Sequence, residues 1–137
     1  MKSRESLIKL KRFQADEKRR QVNQIEQMVD EFRRMMAELD RQIEIEQEKA
    51  GISDVTHFAY PTFAKAARTR RDNLQTSIDD LQVQLERAQD ELASAVEELK
   101  KVELIEERDQ ARAASEAEQA DQDAMDDIAA RRHAMGF

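Results

Sequence analysis

The chain has 137 residues, of which 39% are charged and only 4% aromatic, with no Trp and a net charge of −7. That balance leaves too few large apolar side chains to close an ordinary compact core against the entropy of ordering the backbone. The negative charge argues against general nucleic-acid binding. The absence of cysteine excludes disulfides and thiolate chemistry, and no stretch is apolar for long enough to span a bilayer.

The charge is unevenly spread. Residues 1–20 carry eight bases and three acids, whereas residues 90–109 carry three bases and eight acids. The basic beginning has no apolar core of the kind a secretory signal needs, so a leader is not expected.

Helix one is predicted over about residues 4–49, because the segment lacks breakers and its apolar residues are periodic. Ile8, Ala15, Val22, Val29, Met36 and Ile43 recur every seven residues, and Ile25, Phe32 and Leu39 fill the complementary positions. From Val22 to Ile43 the steps alternate between three and four with no polar residue in the seam. A period of about 3.5 is the pattern of a left-handed coiled coil. Met28 and Met35 flank this seam beside Met36. They are expected to broaden the core, with an adaptable Met-rich binding face as the alternative.

The connection is expected over residues 50–60. Gly51 can take the left-handed conformation that ends a helix, Ser53 or Asp54 can cap a short turn, and Pro61 suits the first turn of a new helix. His57 has no second His, Cys or fixed carboxylate near it in sequence, which speaks against a metal site. Phe58, Tyr60 and Phe63 lie within six residues. They can cap the end of the coil, but a two-helix seam has little interior for three rings. At least one is expected to be exposed, and exposed aromatics anchor partners.

Helix two is predicted from residue 61. Lys65, Arg68, Arg70 and Arg71 make its start basic, as a solvated face or as a collar meeting an acidic partner. Leu74, Ile78, Leu81, Leu85, Ala88, Leu92, Ala95, Leu99 and Val102 then alternate steps of four and three. Leu104 and Ile105 fall outside that seam, beside Lys100, Lys101 and Arg108. They read as helix surface or as a contact for another protein.

A short connection folds helix two back antiparallel on helix one. The expected register sets Ile43 by Ala67, Met36 by Leu74, Val29 by Leu81, Val22 by Ala88 and Ile8 by Val102. It also lays the basic residues 1–20 beside the acidic residues 90–109. The fold class expected is therefore all-α: a long antiparallel two-helix coiled-coil hairpin with a C-terminal helical overhang. The hairpin occupies 1–110, and 111–137 is a helical extension or a frayed acidic tail.

Such a fold offers no pocket in which to desolvate an acid–base pair, so no enzyme activity, cofactor, metal or small-molecule substrate is expected. Two classes of protein-level role stay open: a linker between partners, or a structural coiled-coil spacer or dimerisation adaptor.

The whole layout resembles the flagellar export FliJ family. The resemblance rests on Ser6-Leu-Ile-Lys-Leu-Lys-Arg-Phe13 followed by Ala15-Asp-Glu-Lys-Arg-Arg, on Phe58-Ala-Tyr-Pro-Thr-Phe63, and on Glu98-Leu-Lys-Lys-Val-Glu-Leu-Ile-Glu-Glu-Arg108. It implies a cytoplasmic component of the flagellar type III secretion apparatus, peripheral to the membrane through its partners. Those partners would be the hexameric export ATPase FliI, the export gate protein FlhA and export chaperones. By the same resemblance, Phe58, Tyr60, Phe63 and Ala67 near the bend would contact the gate. Lys100, Lys101 and Arg108 near the open end would contact the ATPase.

Overall fold

The computed structural model describes the backbone of residues 2–52 and 59–136 and the side chains of residues 3–49 and 61–136. Among the described residues the chain is two helices, α1 (Lys2–Ile52) and α2 (Ala59–Ala134). The helices form because each segment lacks interior breakers and is laced by local pairs. In α1, Asp16 bonds Arg19 at 3.1 Å, Glu17 bonds Arg20, and Glu46 pairs with Lys49 at 3.6 Å. In α2, Gln75 donates to Asp79 at 2.9 Å and Gln119 to Asp123 at 3.0 Å. Gly136 ends the chain's helical run in the left-handed region at φ +81°, its N–H bonded to the His133 carbonyl at 3.1 Å.

Two boundaries differ from expectation. Gly51 does not stop helix one: α1 runs through it to Ile52, since one glycine costs a helix only about 1 kcal/mol relative to Ala. Pro61 does sit in the first turn of α2, where its missing N–H is no loss. Ser53, Asp54, His57 and Phe58 of the expected connection lie outside the described residues.

The chain divides into two compact units, Gln14–Ala95 and Met1–Phe13 with Val96–Phe137. The unit Gln14–Ala95 holds the buried core. Val29, Ile78 and Leu81 form its centre, with Ile25, Phe32 and Met36 packed against them. Val22, Leu39, Ala64, Ala67, Ala88 and Ala15 complete the buried set. Val29 meeting Leu81 matches the antiparallel register read from the heptads. Lys18–Glu91 at 2.9 Å and Arg71–Asp40 at 2.9 Å keep it on either side. Four of the nine buried residues are alanines and none is below 1% exposure, so this is a narrow seam and not an enclosed core.

Met28 and Met35 do not broaden it. Both are almost half exposed, because they sit beside the seam where a third helix would be needed to cover them.

In the unit Met1–Phe13 with Val96–Phe137, the seam positions are half-buried at Ile8, Leu99 and Val102. Here the complementary seam positions of α1 are basic. Counting back in sevens from Ile25 gives Lys18, still in the unit Gln14–Ala95, and then Lys11 and Arg4 here, each only partly exposed. Lys11 bonds Glu98 at 2.9 Å, Arg12 bonds Glu103 at 3.3 Å, and Arg4 bonds both Glu106 (3.1 Å) and Asp109. The expectation of an all-apolar seam thus holds for Val22–Ile43 and gives way to an ionic one towards the N-terminus. Long basic side chains can do this because their methylene stems cover the apolar layer while their charged ends reach the flanking carboxylates.

Candidate protein-binding surfaces

The unit Gln14–Ala95 carries the first surface, near the start of α2. Phe63 is half-buried there, and Ala64 and Ala67 are buried in the seam at 5% and 4% exposure. Ala67 therefore presents almost nothing to a partner. Its small side chain sets how closely the helices approach. The backbone of Tyr60 lies in α2, but its side chain, like all of Phe58, is outside the described residues. Lys65, Arg68, Arg70 and Arg71 are all exposed. Arg71 spends its charge on Asp40 across the seam, at a position the heptad would otherwise give to an apolar side chain.

Beside this basic start runs an open groove of about 470 Å³. Met35 and Leu39 of α1 and Leu74 of α2 make its apolar floor; Glu38, Gln42, Arg70, Asn73 and Ser77 edge it. It is shallow and solvated, so it can receive an apolar side chain from a partner but cannot isolate a reaction from water. The heptads do not show this groove, but Met35 belongs to the Met-rich face given above as an alternative binding surface: it flanks the seam, where a residue that does not serve the core is open to another use.

The unit Met1–Phe13 with Val96–Phe137 carries the second surface. Lys100, Lys101 and Arg108 are exposed on α2, Lys101 in a loose pair with Glu97 at 3.6 Å. Leu104 and Ile105 lie beside them, each 47% exposed. On α1 of the same unit, Leu7, Leu10 and Phe13 are also exposed. Glu97 and Glu107 stand among the α2 residues, both exposed, but four other acids of α2 are directed to α1. Glu98, Glu103, Glu106 and Asp109 are taken up by Lys11, Arg12 and Arg4.

The hydrogen bond from Lys11, and then its charge, hold the Glu98 carboxyl below its ordinary value. Hydrogen bonds to Glu106 and then to Asp109 raise the Arg4 guanidinium. An acidic stretch of sequence thus presents, on its outer face, Lys100, Lys101 and Arg108 with the apolar Leu104 and Ile105 beside the exposed acids Glu97 and Glu107.

Nothing in either surface brings titratable groups together for chemistry. Among the described residues no three His, Cys, Asp or Glu side chains converge as metal ligands. Among the same residues no helix is long and apolar enough to cross a membrane. What both surfaces do offer is exposed apolar side chains edged by polar and charged ones, the composition of a docking site.

Compared with known proteins, residues 2–136 match the family model described as flagellar FliJ protein. No curated protein and no solved structure matches the chain.

Proposed function

Because the chain belongs to the flagellar FliJ protein family, we propose that it is a non-enzymatic stalk of the flagellar type III export apparatus that binds the export ATPase FliI and links it to the gate protein FlhA. The family match over nearly the whole chain carries this reading. Two unlike surfaces support it, because a linker needs two separate sites. The surface near the start of α2 would face the gate, with Phe63, the Met35–Leu74 groove and the bases Arg68 and Arg70 in contact. Tyr60 and Phe58 belong to the same stretch of sequence. Ala67 acts there from the seam, by keeping the helices close. Lys100, Lys101 and Arg108 would meet the ATPase. Export chaperones are further candidate partners, and the protein would work in the cytoplasm, held at the membrane through the gate.

The test uses the purified full chain with FliI and with the cytoplasmic part of FlhA. Phe63→Ala should weaken capture of FlhA alone, and a triple charge reversal at Lys100, Lys101 and Arg108 should weaken capture of FliI alone. A deletion strain should lose swimming. A strain that swims normally without the protein would end the reading. A stable dimer whose formation no surface variant affects would favour a dimerisation module in its place.

A further inference from the structure

α2 continues well past the last seam residue that α1 covers. Asp109 is the last half-buried position, and every described residue from 110 to 136 is exposed. The segment is nonetheless patterned. Four residues beyond Asp109 comes Ala113, then Ala117, Ala120, Ala124, Ile128 and Met135, at steps of four, three, four, four and seven. These positions lie on the side of α2 that carries Leu99, Val102, Glu106 and Asp109, so the face is a direct continuation of the seam. Ile128 is 54% and Met135 75% exposed on it.

Alanine is a working seam residue in this protein: Ala15, Ala64, Ala67 and Ala88 are buried at 1–6% exposure. The exposed alanines of the overhang therefore repeat a surface that elsewhere in the chain is covered by a helix.

The flanks say which kind of helix. In the covered part, bases from α1 reach acids beside the α2 seam, Glu91 from Lys18, Glu98 from Lys11 and Glu103 from Arg12, and acids within it, Glu106 and Asp109 from Arg4. The overhang carries the same kind of flank. Glu116, Asp123 and Asp127 lie along one side of the face, Glu118 and Asp121 along the other, and residues 116–127 contain no base. Only Asp127 meets a cation, Arg131 at 3.1 Å, and Asp123 accepts from Gln119. An acidic surface of this kind repels anionic lipid and nucleic acid.

The spacing also changes. Steps of four, three and four close an eleven-residue repeat, with a period of about 3.67 where the hairpin seam has about 3.5. A helix packed on the overhang follows a right-handed path along it, whereas the heptad seam with α1 is left-handed. The interface is continuous with the hairpin seam but is built for a different chain.

We propose that residues 113–135 dock a basic amphipathic helix of another protein, packed against the alanine, Ile128 and Met135 face with its Lys and Arg side chains reaching Glu116, Glu118, Asp121 and Asp123. The inference stands on α2 itself and goes beyond the contacts proposed above, none of which lies in the overhang.

The probe is a synthetic peptide copying residues 1–20 of this chain, a basic amphipathic helix of the required kind, titrated into the isotope-labelled full-length protein. A peptide with every Lys and Arg changed to Glu is the control. The expected result is saturable amide-signal changes confined to residues 113–135. They should be absent with the control and weakened at least tenfold in Ala120→Glu and Ile128→Asp, both at exposed positions. Several outcomes would overturn the proposal: no binding of the basic peptide, changes confined to residues 96–109 where the peptide replaces α1, or equal binding by both variants. So would sedimentation showing that the overhang is already covered by a second copy. Because the export ATPase and gate take no part in the readout, failure here leaves the proposed export role as it stands, and failure of that role leaves this result untouched.

Discussion

Replacing Ile78 by alanine tests what holds the hairpin together. Ile78 is 4% exposed and sits between Val29 and Leu81, with Phe32, Ile25 and Met36 against the cluster. The substitution removes about three methyl or methylene groups at about 0.8 kcal/mol each, so the transfer loss is about 2.4 kcal/mol. Enclosed cores add a cavity penalty that can carry such changes to about 5 kcal/mol. Here that addition should be small, because a two-helix seam can close up or admit water at its edges. Ile78→Ala should therefore cost about 2–3 kcal/mol, against less than about 0.5 kcal/mol for the exposed neighbour Asp79→Ala. Urea unfolding followed by far-ultraviolet circular dichroism measures both, with the slope unchanged if only stability moves. A cost below about 1 kcal/mol for Ile78→Ala, or one equal to that of Asp79→Ala, would refute the claim that burial in the seam stabilises this unit.

Three further outcomes follow from the charged positions. Lys18→Leu extends the apolar seam by one layer and gives up only a partly exposed pair with Glu91. Urea unfolding should show a gain of about 0.5–1 kcal/mol, and a loss of that size would mean the ion pair stabilises more than burial does. Arg71→Ala removes a pair in which both side chains are about half exposed, so its effect on the urea midpoint should correspond to less than about 0.5 kcal/mol. The third outcome concerns pH. Glu98 is held below its ordinary value of 4.5 by Lys11, so its contribution is present above that value and disappears as pH falls through the lowered one. Amide protection, the slowing of exchange relative to the free chain at the same pH, should fall at residues 3–13 and 96–109 below about pH 4.5, ahead of residues 22–39. Protection lost first in the apolar seam would contradict this ordering.

Much of the architecture was legible without coordinates because it depends on spacing. The heptads at Val22–Ile43 and Leu74–Val102 need only a period to be read, and the opposite charges of 1–20 and 90–109 point to an antiparallel pairing. Details failed where a residue's surroundings mattered more than its type. Gly51 was read as a stop from its intrinsic preference, yet α1 passes through it. Met28 and Met35 were read as core from their apolar character, yet the hairpin has no third element to cover them. Ala67 combines a seam position with a suggested contact role, and burial leaves it only the first.

The sequence alone therefore determined that the chain is two helices folded back on each other, at what register, and to which family its layout belongs. Periodicity and charge order are properties of the chain itself and survive without knowing any neighbour. The tertiary structure decided which side chains are left over once the helices have paired. It showed Arg4, Lys11 and Lys18 drawn into seam positions, with Glu106, Asp109, Glu98 and Glu91 of α2 as their partners. It left Lys100, Lys101 and Arg108 facing outward, and it left the face of 113–135 open. Exposure and pairing depend on what lies opposite, which no single stretch of sequence contains.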